Sequence, residues 1–172
     1  MSRLAACVVV LLLLAAPAVA QTPVADLYAG YSVLYHDELE ETFTKGFVAS
    51  LAFSLSESVA IPLEFSWHSK DLELFDEDVA TASLKTYTAG LRFGRRFYAQ
   101  VLAGGVTGTV HLSGLGSGSE TDFVLQPGIG IDIPFGSTVG FRLGGDYRRI
   151  FSDEAVNEWR GHVGLVFYLG SR

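Results

Sequence analysis

Ser66 and His68 stand two residues apart, and His162 is followed two residues later by Gly164. A hydroxyl within hydrogen-bond reach of an imidazole is the minimum for nucleophilic acyl transfer. Ser66 and His68 share a face at the outer rim if the segment is extended, but a polar lumen mouth is the simpler reading. His162 has no nucleophile beside it. The ionisable residues with the clearest order are Asp26, Glu64, Asp132 and Asp146 against Arg92, Arg142, Arg148 and Arg160. Four acids and four bases on one parity predict a paired network, with Gln100, Gln126 and Ser66 satisfying the remaining groups. Its role is structural, and the pattern implies no catalytic residue, metal site or cofactor.

A second group of acids lies between the apolar segments: Asp37, Glu38, Glu40 and Glu41; Asp71, Glu73, Asp76, Glu77 and Asp78; Glu120 and Asp122; and Asp153, Glu154 and Glu158. Divalent cations could bridge such carboxylates, but no ordered ligand spacing is present, and a solvated, self-repelling rim is the simpler reading. Ser113 to Ser119 is Gly-rich without a phosphate-loop lysine, hence a linker. With 12 basic against 19 acidic residues and a net charge of −7, no nucleic-acid partner is expected. The only cysteine is Cys7.

The elements that must position these residues are strands. From Ala25 onward, eight segments alternate with period two: 25–35, 44–55, 59–69, 81–94, 97–110, 121–133, 138–151 and 158–169. In the seventh, Val139, Phe141, Leu143, Gly145 and Tyr147 alternate with Gly140, Arg142, Gly144, Asp146 and Arg148. Charges in mid-strand beside glycine, opposite an almost uncharged apolar face, are the pattern of a barrel whose outside meets lipid. Most segments exceed the roughly 9 to 11 residues a tilted strand needs to cross a bilayer.

Tight turns at 56–58, 95–96 and 134–137 alternate with longer connections at 36–43, 70–80, 111–120 and 152–157, as in outer-membrane barrels. Tyr35, Trp67, Phe123, Tyr147 and Trp159 gather near one edge of the apolar band, and Phe93, Phe97, Phe135 and Phe167 near the other. Lys45, Lys85 and Arg149 fall on the lipid parity at the outer strand ends, where lipopolysaccharide phosphates or simple snorkelling would suit them. Gly30, Gly90, Gly104, Gly128, Gly130, Gly140 and Gly144 are expected to make room for long lumen side chains. Leu102 and Val106 on the lumen parity, and Pro127 within a strand, predict a bulge or local shift. Gly144→Ser, pointing inward, is expected to cost less than Leu143→Arg, provided space remains.

Arg3, the apolar run Leu4 to Ala16 and the small residues Ala18 and Ala20 predict a cleaved signal peptide over residues 1–20. Residues 21–172 then form one domain, an all-β, eight-stranded antiparallel up-and-down transmembrane barrel with a polar lumen and both termini in the periplasm.

Over residues 21–172 the chain resembles the small OmpA/OmpX-like outer-membrane β-barrel family, the outer membrane protein beta-barrel domain. His162-Val163-Gly164-Leu165-Val166-Phe167-Tyr168-Leu169 resembles the C-terminal signal read by the barrel assembly machinery, with His162, Gly164, Phe167 and Leu169 at its defining positions; it departs from the usual form by continuing to Gly170-Ser171-Arg172. The resemblance implies an outer-membrane monomer in contact with lipid and lipopolysaccharide, with a structural or surface-interaction role. Two alternatives remain: a lipid A-modifying enzyme and a narrow ion pore. The lipid A deacylase family places a His and a Ser two residues apart on a lipid-facing strand. Here His162 is on the lumen parity and Gly164 occupies the partner position.

Overall fold

The computed structural model describes residues 24–37, 41–74, 77–112, 116–152 and 155–170. The expected signal peptide, together with Glu38, Glu40, Asp76, Asp153 and Glu154, lies outside them. Nine strands follow one another: β1 Ala25–His36, β2 Glu41–Phe43, β3 Lys45–Ser54, β4 Val59–Leu74, β5 Glu77–Gly94, β6 Phe97–Leu112, β7 Gly116–Pro134, β8 Val139–Phe151 and β9 Val156–Leu169. Each main strand pairs antiparallel with its sequence neighbour, and β1 pairs with β9 from Ala25↔Leu169 to His36↔Glu158. The sheet is therefore closed. β2 is a short continuation of β3, so the barrel has eight staves.

The pairing changes from Tyr31↔Phe47 to Leu34↔Phe43, three residues on one stave against four on the other. That places a bulge at Thr44, whose carbonyl accepts a hydrogen bond from the Tyr31 hydroxyl. The extra residue reverses the parity of β2 and turns Phe43 inward. Elsewhere the parity holds around the whole barrel. Every buried residue except Ala25, Phe43 and Ser69 is even-numbered, and every large exposed apolar residue except Val24 and Val110 is odd-numbered.

Short turns preserve this order at one end. Between β5 and β6, Gly94 adopts φ +104°, a left-handed conformation that glycine enters without steric cost, and Arg95 and Arg96 complete the reversal. Leu55 N–H donates to the Val59 carbonyl at 2.8 Å, and Phe135 N–H to the Val139 carbonyl at 2.9 Å.

Two expectations are corrected. The expected long connections are largely strand: β4 and β5 reach Leu74 and Glu77, and β6 and β7 reach Leu112 and Gly116. Even the Gly/Ser run pairs, as Val110↔Gly118 and His111↔Ser117, because a ladder joins main-chain groups and beyond the apolar band requires no side-chain pattern. The expected bulge in β6 and β7 is absent as well. Pro127 pairs with Val101, and the β7–β8 ladder skips residues 126 and 127, then resumes in the same register at Gly128↔Asp146. A missing N–H removes local bonds without displacing the strand. In β4–β5 the register shifts between Leu72 and Glu73.

The closing seam depends on glycine. Gly30 faces Gly164, and a Cβ on Gly164 would overlap the Ala29 carbonyl and the Gly30 backbone. Gly164 therefore has a packing role in addition to its place in the C-terminal pattern.

Candidate functional site

The barrel interior is the most heavily organised region. At the short-turn end, Arg142 is bidentate to Asp132, with Nε and Nη2 each 2.7 Å from a carboxylate oxygen, while its Nη1 lies 3.0 Å from Asp26. Arg92 approaches Asp26 at 3.3 Å and donates to Gln100 at 3.3 Å. Rings close over these guanidiniums: Tyr98 at 4.8 Å from Arg92, and Tyr28 and Tyr98 at 5.2 and 5.3 Å from Arg142.

Midway, Arg160 Nη2 lies 2.7 Å from Glu64 and 2.6 Å from Asp146, and its Nε lies 3.0 Å from Asp146. Gln100 and Gln126 donate to Asp146 and Glu64 at 3.2 and 2.9 Å. Higher still, Arg148 faces Glu158 at 3.0 Å and donates to Thr86 at 2.6 Å. An apolar collar of Val106, Val124 and Ile150, with Leu84 and Val156 against it, closes the top. The eight charged residues singled out in the sequence thus all face inward, in three tiers, with Gln100 linking Arg92 of the first to Asp146 of the second.

A ninth charge belongs with them. Glu158, grouped above with the outer acids, is fully buried against Arg148. That assignment is corrected: β9 begins at Val156, so Glu158 lies within a stave on the lumen parity, and cross-strand pairing sets it beside Arg148. Tyr28, Tyr98 and Tyr168 were also missed, although even numbering was the available signal. The glycines make room chiefly for rings and for Asp146: a Cβ at Gly130 would meet Tyr98, and one at Gly128 would meet the Asp146 carboxylate. At Gly144 it would lie 2.5 Å from His162 Nε2 and 3.0 Å from the Tyr98 hydroxyl. The space assumed for Gly144→Ser does not exist.

The histidines also find different partners. His68 Nε2 lies 2.8 Å from Ser32 Oγ, while Ser66 Oγ makes no hydrogen bond among the described residues. His162 Nδ1 lies 2.8 Å from the Tyr28 hydroxyl, and its Nε2 is 3.6 Å from Asp146. Ser32 and His68 have the spacing of a nucleophile and base, but both are 0% exposed and His68 Nδ1 has no orienting partner among the described residues.

Outside, Phe47, Phe65, Trp67 and Tyr87 form a continuous aromatic face, with ring separations of 4.9 to 6.1 Å. Lys85 pairs with Trp67 and Lys45 with Ser69, so the two lysines flank β4. Arg149 lies away from them on β8, paired with Leu125 and Asn157. All three are exposed.

The outer membrane protein beta-barrel domain family matches residues 6–167. The chain belongs to this family. As an outer-membrane β-barrel, it places its exposed odd-numbered face against lipid. Its fold is similar to that of Ail, the attachment invasion locus protein of Yersinia pestis, solved with the heparin analogue sucrose octasulfate: 19% identity, 83% of this chain and 97% of that one, TM-score 0.60. The N-terminal barrel domain of Pseudomonas aeruginosa OprF is similar at 16% identity, covering 86% of this chain and 98% of that one, TM-score 0.56. OprG from the same organism is similar at 12% identity, covering 88% and 98%, TM-score 0.56. No curated protein matches the sequence. Identities this low carry the outer-membrane fold and leave the individual role to the residues of this barrel.

Proposed function

We propose that the protein is a non-catalytic outer-membrane barrel with a structural or surface-interaction role, acting through its exterior and its longer hairpins. The observation that carries this reading is the lumen, where buried ion pairs, interior rings and an apolar collar leave little space for a through-path. An enzyme reading would have to use Ser32 and His68, which no substrate reaches while both remain buried. Planar-bilayer recording tests the reading: the purified barrel is expected to insert without conductance steps. Stepwise conductance, altered in Arg142→Ala, would instead favour the pore.

The remaining parts of the reading concern biogenesis and surroundings. Residues 1–20 direct export and are removed, the assembly machinery reads His162, Gly164, Phe167 and Leu169, and the monomer keeps both termini in the periplasm. Lipopolysaccharide phosphates engage Lys45, Lys85 and Arg149, with the paired lysines dominant because they share one aromatic face. Lys45→Gln with Lys85→Gln is expected to lower co-purifying lipopolysaccharide more than Arg149→Gln does; equal retention in all variants removes this contact. A polysulfated ligand such as that bound by Ail would meet repulsion at the hairpins of this chain, where its acids concentrate and its net charge is −7.

A further inference from the structure

On the exterior, beside the aromatic face, lies an apolar recess of about 620 Å³. Cross-strand pairing accounts for it. Ala49 stands next to Phe65, and Leu63, Ala89 and Ala103 follow one another across β4, β5 and β6, so methyl groups floor a space walled by Leu51, Leu63, Phe65 and Tyr87. Toward the longer hairpins the same two strands turn polar. Lys85 pairs with Thr107, which pairs with Thr121, and the two threonine hydroxyls lie 2.9 Å apart. Ser83, Thr109 and Ser119 make up the next row outward. This patch carries a cation among hydroxyls and no carboxylate, because Glu120 and Asp122 fall on the opposite parity of β7.

We propose that this face holds one acylated sugar phosphate, the lipid A end of lipopolysaccharide, with its phosphate at Lys85, its sugar against the threonine and serine rows, and one acyl chain in the recess. The inference rests on the lipopolysaccharide contact proposed above and adds to it the seats of the sugar and the chain. A phosphate accepts from both an ammonium and hydroxyls, and a flexible chain gains dispersion contacts in a recess that a flat strand face does not offer. A second copy of the barrel fits less well. Two copies meeting through this face in one membrane would carry Lys85 at the same depth and oppose like charges. A phospholipid would satisfy Lys85 but leave the hydroxyl rows to water.

Hexa-acylated lipid A and dipalmitoyl phosphatidylglycerol serve as probes, each titrated into the full folded barrel in detergent micelles, with adducts counted by native mass spectrometry. The barrel is expected to take up one lipid A and to hold phosphatidylglycerol about tenfold more weakly. Ala89→Phe fills the recess from an exposed position without altering any charge, and should weaken lipid A about tenfold. Ala103→Leu gives the same test should the first variant not fold. Ala99→Phe, exposed on β6 outside the recess, should leave binding unchanged. Lys85→Gln separates this inference from the contact beneath it: weaker binding in Lys85→Gln with none lost in the filled variants would overturn the recess and keep the phosphate contact, whereas no loss in any of them would remove both. Equal affinity for the two lipids, or an equal loss in Ala99→Phe, would also overturn the proposal.

Discussion

Arg160→Met is expected to destabilise the barrel by about 3 to 5 kcal/mol, the usual cost of removing one member of a buried ionic group. Arg160 has no exposed side-chain surface and is the cation shared by Glu64 and Asp146, at 2.7 and 2.6 Å. Its loss leaves two carboxylates facing each other, with Gln100, Gln126 and, at 3.6 Å from Asp146, His162 as the neighbouring donors among the described residues. Replacing all three charges together, as Arg160→Met with Glu64→Met and Asp146→Leu, should recover part of the loss, because no unpaired charge remains, while the buried Gln100 and Gln126 amides lose their carboxylate acceptors. Urea unfolding in lipid vesicles, followed by tryptophan fluorescence, measures both. A single-variant loss below about 1 kcal/mol would mean that water solvates the carboxylates freely, and a sealed lumen would be untenable.

Leu143→Arg is expected to cost about 2 to 4 kcal/mol, and Phe151→Arg on the same strand only about 0 to 1, because the penalty for a lipid-facing cation falls from the bilayer midplane to the interface. Leu143 is 53% exposed, midway along β8 between Ile131 and Val163. Phe151 is 47% exposed at the strand end, beside Arg149. Similar exposure with unequal cost would identify lipid depth as the cause. Equal costs at the two positions would place both in water and reverse the assignment of faces.

Much of the architecture was legible because it rests on one variable, the parity of each residue. Asp26, Glu64, Arg92, Asp132, Arg142, Asp146, Arg148 and Arg160 announce the interior because mid-strand charge on an apolar segment has no other economical place. Glu158 was misplaced for the opposite reason: at the start of its stave it follows Asp153 and Glu154, and composition alone joins it to them. Only the register that seats it beside Arg148 separates it. Leu102 and Val106 suggested a distorted strand because an apolar lumen residue looked anomalous; both are buried in an unbroken strand, Val106 as part of the collar. The strand extensions beyond the apolar band were hidden because pairing there depends on backbone groups that every sequence shares. Phe43 was hidden by a single inserted residue at Thr44, which inverts the parity for β2 alone. The occupied space at Gly144 depends on His162 and Tyr98, distant in sequence and joined by barrel closure.

The most direct test of the inside-out barrel is a cysteine scan along β3, from position 47 to 53, read by spin-label collisions in lipid vesicles after Cys7→Ser. The even positions Val48, Ser50 and Ala52 are small, and the odd positions include the exposed Phe47 and Phe53. Oxygen accessibility from the bilayer is expected to peak at 47, 49, 51 and 53 and to fall at 48, 50 and 52. Peaks at the even positions, or no alternation, would contradict a barrel with a lipid-facing exterior and a closed interior.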